Sequence, residues 1–127
     1  MIKMDVLILL GAIFLAYGGI ILLYYRVRAK ERRNRISNFM LKGTMSMRRG
    51  NLERALLYFN RAYEYSYDKE NMAGAAEALY NMGHVYKENG DISTAMKYWK
   101  ESDKLYLEIN DIKGNKRIKI ALNSITR

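Results

Sequence analysis

Apolar and polar residues follow two different patterns along this chain, and the change between them divides the sequence. Residues 6–25, VLILLGAIFLAYGGIILLYY, contain no charged side chain. From residue 36 onward, apolar residues instead recur at intervals of three or four among polar ones, which is typical of amphipathic helices packed against one another. Proline is absent throughout, so nothing interrupts long helices. The pattern predicts an all-α chain.

The first part has the length and composition of a membrane span. As a helix, its twenty uncharged residues would cover roughly 30 Å, about one hydrocarbon thickness. The stretch ends in Tyr24, Tyr25 and Arg26 without the small-residue cleavage site of a signal peptide. Its apolar residues also cover every helix face, unlike a helix buried on one side. We therefore predict a transmembrane anchor at residues 1–25, with a signal peptide and a buried core helix as alternatives.

A basic segment follows directly, at residues 26–35, RVRAKERRNR. Its six basic residues are Arg26, Arg28, Lys30, Arg32, Arg33 and Arg35. Lys3 alone lies on the other side of the apolar stretch, so the positive-inside rule predicts an external N-terminus and a cytoplasmic C-terminal part. The predicted localisation is the cell membrane, in a single pass. We expect the six side chains to contact anionic lipid headgroups; a nucleic-acid-binding tail is the alternative.

The second part contains a repeat with an offset of forty residues. FMLKGTMSMRRGNLERALLYF, residues 39–59, aligns with LYNMGHVYKENGDISTAMKYW, residues 79–99. In each copy a glycine, Gly50 or Gly90, separates two amphipathic segments, and glycine readily takes the left-handed conformation that ends a helix. Asn51 and Asp91 follow and can cap the next helix. Such a short turn predicts two antiparallel helix hairpins.

Small residues mark the points where the paired helices are predicted to cross. Each hairpin pairs small residues with one large aromatic ring that fills the space beside them: Gly43 and Ala55 with Phe59, then Gly83 and Ala95 with Trp99. A hairpin alone would leave an apolar side uncovered, and stacking a second hairpin on it covers that side. The last residues, NKRIKIALNSITR, carry an apolar stripe of Ile118, Leu122 and Ile125, which predicts a final capping helix.

These residues resemble the tetratricopeptide repeat. Leu79, Gly83, Tyr86, Gly90, Ala95, Trp99 and Ser102 match its pattern, while Lys42 and Ser46 depart from it in the first copy. The forty-residue period is similar to the long variant of the family. The resemblance implies a domain at residues 36–127, with repeat 1 at 36–75, repeat 2 at 76–115 and a capping helix at 115–127.

The resemblance also implies a concave groove lined by the first helix of each hairpin, where a partner peptide or helix would bind. The side chains predicted to face it are Met40, Thr44, Met47, Glu77, Tyr80, Asn81, His84 and Arg117. Asn81 is the strongest candidate, because an amide can donate to and accept from a peptide backbone. A plain surface position is the alternative for Asn81. The family's carboxylate clamp is not expected, since Met40 and Thr44 occupy places that it requires.

The sequence offers little chemistry for catalysis. It has no cysteine and one histidine, which excludes thiolate sites and paired-histidine metal sites. We therefore predict no enzyme activity, no cofactor and no small-molecule substrate. The predicted function is a membrane-anchored protein–protein interaction module, an adaptor or scaffold. One alternative is a small assembly subunit of a membrane complex, which could also form a homo-oligomer. The other is nucleic-acid binding through the tyrosines.

Overall fold

The computed structural model describes residues 2–68 and 71–126. These residues form five helices and no strand, so the predicted all-α fold is confirmed. In order, the helices are α1 (Ile2–Arg48), α2 (Leu52–Asp68), α3 (Met72–Glu88), α4 (Ile92–Glu108) and α5 (Ile112–Ile125). The chain divides into two compact units, Met1–Asn34 and Arg35–Arg127, and the division falls within α1.

The described part of the first unit consists of helix alone, and the side chains of residues 3–25 are all exposed. Phe14 is 79% exposed and Leu15 is 76% exposed, and none of the most apolar window of α1 is buried. Within the described residues, α1 is the one helix whose length and composition would let it cross a membrane. In water, such a surface would be costly, because each apolar side chain loses about 1.5–3 kcal/mol of burial free energy by staying exposed.

In the second unit the helices pack in sequence order, α2 against α3, α3 against α4 and α4 against α5. The predicted left-handed turn glycines are confirmed, with φ of 77° at Gly50 and 82° at Gly90. The side chains of Asn51 and Asp91 each accept a hydrogen bond at 3.1 Å, from the backbone N–H of Arg54 and Thr94 respectively. Local sequence therefore specifies where each hairpin turns.

A third turn of the same kind joins α4 to α5 without a glycine. Asn110 takes the left-handed conformation there, with φ of 56°. Asp111 then caps α5 by accepting from the N–H of Gly114 at 2.9 Å. Asparagine adopts the left-handed conformation more easily than most residues. It therefore takes the place that glycine has in the other two turns, and the pattern of glycines alone does not predict this turn.

The core is built from small residues against aromatic rings, as predicted. A β-carbon on Gly43 would lie 2.5 Å from Phe59 Cε1, and one on Gly83 would lie 2.5 Å from Trp99 Cδ1. Phe59 and Trp99 are 1% and 0% exposed. Because these side chains fill the space left by each glycine, the helix axes approach closely at both crossings. The same packing therefore recurs forty residues apart.

The last helix buries the stripe that the sequence predicts. Ile118 is fully buried, and Leu122 and Ile125 pack against the cluster around Trp99. The periodicity of α4 also predicts Ile92 and Ile109 on its buried stripe, and this prediction is wrong, because they are 36% and 37% exposed. Ile92 is the first residue of α4 and Ile109 follows its last one, where the neighbouring helices no longer cover the chain.

Candidate functional site

Arg117 of α5 contacts one other candidate groove residue, Tyr80, and one residue of the core, Tyr106. Its Nη2 donates a 2.8 Å hydrogen bond to the hydroxyl of Tyr106, and its Cζ lies 4.9 Å from the centre of the Tyr80 ring. Tyr106 is 2% exposed, and burial raises the pKa of its hydroxyl. The hydroxyl therefore remains protonated and accepts from the guanidinium, which fixes the position of an otherwise exposed cation.

His84 lies between two aromatic rings on α3 and α4. Its ring centre is 4.5 Å from that of Tyr80 and 5.2 Å from that of Trp99, in edge-to-face geometry with both. Burial is the main cause that lowers the pKa of His84 below its ordinary value. The positive charges of Lys87 and Arg117 lower it further, while Glu88 opposes them. At neutral pH the imidazole is neutral and can donate one hydrogen bond and accept another.

Asn81 lies on the side of α3 that faces Met40 of α1. Its Nδ2 is 3.7 Å from Met40 Sδ, a weak contact because a thioether is a poor acceptor. The amide therefore keeps donor and acceptor capacity for another group. Thr44 differs, since its hydroxyl already donates to the carbonyl of Met40 at 2.9 Å, within its own helix.

An open cleft of about 500 Å³ lies beside these residues, where α1 and α3 end. Its lining residues are Thr44, Met47, Arg48, Gly50, Leu52 and Glu88. Methionine, leucine and two opposite charges line one concavity, which suits a segment that carries both apolar and polar groups. Arg48 and Glu88 were not among the predicted site residues.

The eight predicted groove residues lie in three sets. Tyr80, His84 and Arg117 contact one another, directly or through a shared ring. Glu77 belongs with them, because its carboxylate raises the pKa of Tyr106. Met40 and Asn81 form a second set, and Thr44 and Met47 line the cleft. Met40 and Met47 are also partly buried against the cluster around Phe59, so they serve the core as well as the surface.

Two residues that hold the site were not predicted to do so. Trp99 donates from Nε1 to the carbonyl of Tyr80 at 3.0 Å, and Tyr106 positions Arg117. The sequence predicts Trp99 as a packing residue, and the periodicity of α4 predicts only that Tyr106 lies on the buried stripe of that helix. Polar atoms on buried aromatic residues are usually hydrogen-bonded, and that rule was the available signal.

The basic segment is a continuous part of α1. Five of its six basic side chains are exposed, and Arg32 is half-buried. Arg28 donates to the Tyr24 hydroxyl at 3.2 Å and lies 4.0 Å from the Glu31 carboxylate. These contacts connect neighbouring turns of one helix.

The chemistry that this arrangement can perform is recognition. Within residues 2–68 and 71–126, no three His, Asp or Glu side chains are grouped to hold a metal ion. The site instead presents an amide, an imidazole and a guanidinium, all held on aromatic or thioether surfaces. Such groups bind backbone and carboxylate acceptors.

The fold of the second unit defines a class of protein, an array of antiparallel helix hairpins. The sequence profile of the family described as Tetratricopeptide repeat matches residues 76–109, which include all of α4. No curated protein matches the chain. The match covers one repeat, and with the all-helical fold it supports a tetratricopeptide-like protein. Proteins of this kind typically act as protein–protein interaction modules.

Proposed function

We propose that this protein is a membrane-anchored interaction module, whose tetratricopeptide-like unit binds a segment of another protein. Helix α1 would cross the bilayer through its apolar residues, with the basic segment on the cytoplasmic side. The exposed apolar surface of residues 3–25 supports the anchor, because lipid would cover it. The asymmetry of basic residues around that stretch supports the orientation.

The observation that carries the proposal is the cluster of Tyr80, His84 and Arg117. Arg117 is an exposed residue, yet a hydrogen bond and two aromatic rings hold its guanidinium in place. A side chain that is already ordered loses less entropy when it binds a partner. Packing of the core does not require a cation at this position. The ordered position of the Arg117 guanidinium is therefore best explained by binding to a partner.

The chemistry of the lining indicates the kind of segment that would bind. Asn81 can hydrogen-bond both groups of a peptide bond, as proposed from the sequence. Arg117 favours a carboxylate or a backbone carbonyl, and Tyr80 offers apolar contact area at low entropic cost. We infer a partner segment with exposed backbone and at least one acidic group, in extended or helical form.

Photocrosslinking tests the binding surface in whole membranes. A photoreactive residue would replace His84 in the full chain, and a matched control would replace Lys100, which is exposed on α4. We expect a reproducible protein adduct from position 84 alone, and we expect Asn81→Ala to weaken it at equal protein level. Equal adducts from both positions, or adducts with lipid only, would contradict the proposal.

A separate experiment tests the anchor and its direction. Because the chain has no cysteine, Lys3→Cys and Lys100→Cys each provide one reactive thiol. We expect a membrane-impermeant maleimide to label residue 3 in intact cells, and residue 100 only after permeabilisation. The reverse labelling would refute the orientation. Release of the protein by alkaline extraction would refute the anchor.

A further inference from the structure

The positive charge of the second unit is concentrated in its last helix. Residues 35–111 contain eleven basic and eleven acidic residues, so this part of the unit carries no net charge. Residues 112–127 contain five basic residues and no acidic one. The body of the unit is therefore neutral, and its last residues carry all of its net positive charge.

Helix α5 combines that charge with exposed apolar residues. Ile112 and Ile120 are 71% and 70% exposed, and Lys116 lies between them on the same face, at intervals of four residues. Lys119 and Asn123 flank this stripe. No other described part of the chain covers it. The stripe of Ile112, Lys116 and Ile120 with these two flanking residues is called the α5 face below.

The internal repeat indicates what this face is suited to contact. At the offset of forty residues, Lys116 corresponds to Ala76 and Asn123 corresponds to Gly83. In α3, a helix covers both of those positions: Ser102 of α4 donates to the Ala76 carbonyl at 2.6 Å, and Trp99 lies against Gly83. The α5 face thus occupies the position that a following helix would cover, with lysine in place of alanine.

A second groove, among α2, α3 and α4, has complementary properties. It has a volume of about 360 Å³ and is lined by Glu53, Leu56, Leu57, Asn60, Met82, Tyr86 and Tyr98. This lining includes one carboxylate and no basic side chain. Glu101 is near it, because it follows the lining residue Tyr98 by three residues on α4, so that the two side chains lie on the same face one turn apart. Leu57 is 50% exposed, so apolar surface is accessible in an acidic setting.

From these two surfaces we propose that the α5 face of one copy docks into the groove between α2 and α4 of a second copy. Isoleucines would contact the leucines and tyrosines, while Lys116 and Lys119 would face Glu53 and Glu101. The two surfaces differ, so the contact is head-to-tail and leaves each copy with one free surface of each kind. Such a contact builds rings or open chains rather than only dimers.

The contact can be tested with paired cysteines in a chain that has none of its own. Asn60→Cys places a thiol in the groove, and Asn123→Cys places one at the edge of the α5 face. Neither asparagine is among the side chains proposed to make the contact. Two differently tagged copies, one with each substitution, would be co-expressed in membranes and treated with a short bismaleimide. We expect a mixed dimer from this pair and none from either variant alone. Crosslinks between like cysteines only, or none at all, would overturn the proposal.

Charge reversal provides a second, independent measurement. Combined Lys116→Glu and Lys119→Glu should reduce the mixed crosslink at least about tenfold, because like charges would then oppose each other. Glu53→Lys with Glu101→Lys on the other copy should restore it. The matched control, Arg49→Glu with Lys100→Glu, changes the net charge equally at two exposed residues that belong to neither surface, and it should have no effect. An equal loss in the control, or no rescue, would contradict specific docking. Trp99 fluorescence would verify that each variant is folded.

Discussion

The indole ring of Trp99 lies against the backbone of Gly83, closely enough that residue 83 has no room for a side chain. An added β-carbon would lie 2.5 Å from Trp99 Cδ1. The ring cannot easily move away, because its nitrogen donates to the carbonyl of Tyr80 and the side chain is 0% exposed. Trp99 is also the one tryptophan of the chain, so its fluorescence reports directly on this contact.

We predict that Gly83→Ala destabilises the second unit by about 1–3 kcal/mol, the usual cost of overpacking a core. The gain in helix propensity from glycine to alanine offsets up to about 1 kcal/mol of this cost. The free energy of unfolding would be measured by denaturant titration with Trp99 fluorescence. Gly18→Ala is the control, because nothing lies within 4 Å of the added carbon there. An unchanged midpoint for Gly83→Ala would mean that the ring can shift.

Two buried serines allow a hydrogen bond to be measured by comparison. Ser102 donates to the Ala76 carbonyl at 2.6 Å, whereas the buried Ser66 hydroxyl has no hydrogen-bond partner among the described residues. We predict that Ser102→Ala costs about 1 kcal/mol and that Ser66→Ala leaves stability unchanged or raises it. Both variants gain the same helix propensity from alanine. The difference between their changes in unfolding free energy therefore isolates the contribution of the Ser102 hydrogen bond. Equal effects would contradict this assignment.

The fold could be predicted largely because its information is local and repeated. Gly50 and Gly90 mark the turns, Asn51 and Asp91 cap the next helices, and the forty-residue offset relates Phe59 to Trp99. Each of these signals depends on residues close in sequence or on simple periodicity. The all-α architecture follows from them without knowledge of any distant contact.

The candidate site could be predicted only in part, because its order depends on contacts between helices. The spacing of α3 placed Tyr80, Asn81 and His84 on its outer side. It gave no sign that Tyr106 holds Arg117, eleven residues away and on another helix. Tyr106 also fits the buried stripe of α4, so its hydroxyl was hidden by its role in packing. The exposure of Ile92 and Ile109 at the ends of α4 could not be predicted for a related reason. The periodicity of one helix does not indicate where the helix packed against it ends.

The turn at Asn110 provides a third prediction. Asn110 is the one described non-glycine residue with positive φ, at 56°. We predict that Asn110→Ala destabilises the unit by about 1 kcal/mol, because alanine adopts the left-handed conformation less readily than asparagine does. Asn110→Gly should be neutral or stabilising. Thermal unfolding followed by circular dichroism distinguishes the two. Equal effects of alanine and glycine would show that the asparagine side chain, rather than the backbone conformation, matters.

His84 gives a prediction about pH. In the unfolded chain its pKa is near the ordinary value of 6.5, whereas in the folded protein burial, with Lys87 and Arg117, lowers the pKa. As pH falls through 6.5, the unfolded state therefore binds a proton that the folded state does not, and stability decreases. The decrease continues until pH passes the lowered folded-state pKa. We predict that His84→Gln removes the part of the pH dependence that comes from the imidazole. The difference in unfolding free energy between the wild-type protein and the variant should therefore change between pH 6.5 and the lowered pKa, and it should be constant above this range. Denaturant titrations between about pH 8 and pH 5 would measure it. Parallel curves for the two proteins would mean that the imidazole is as accessible to protons in the folded site as in the unfolded chain.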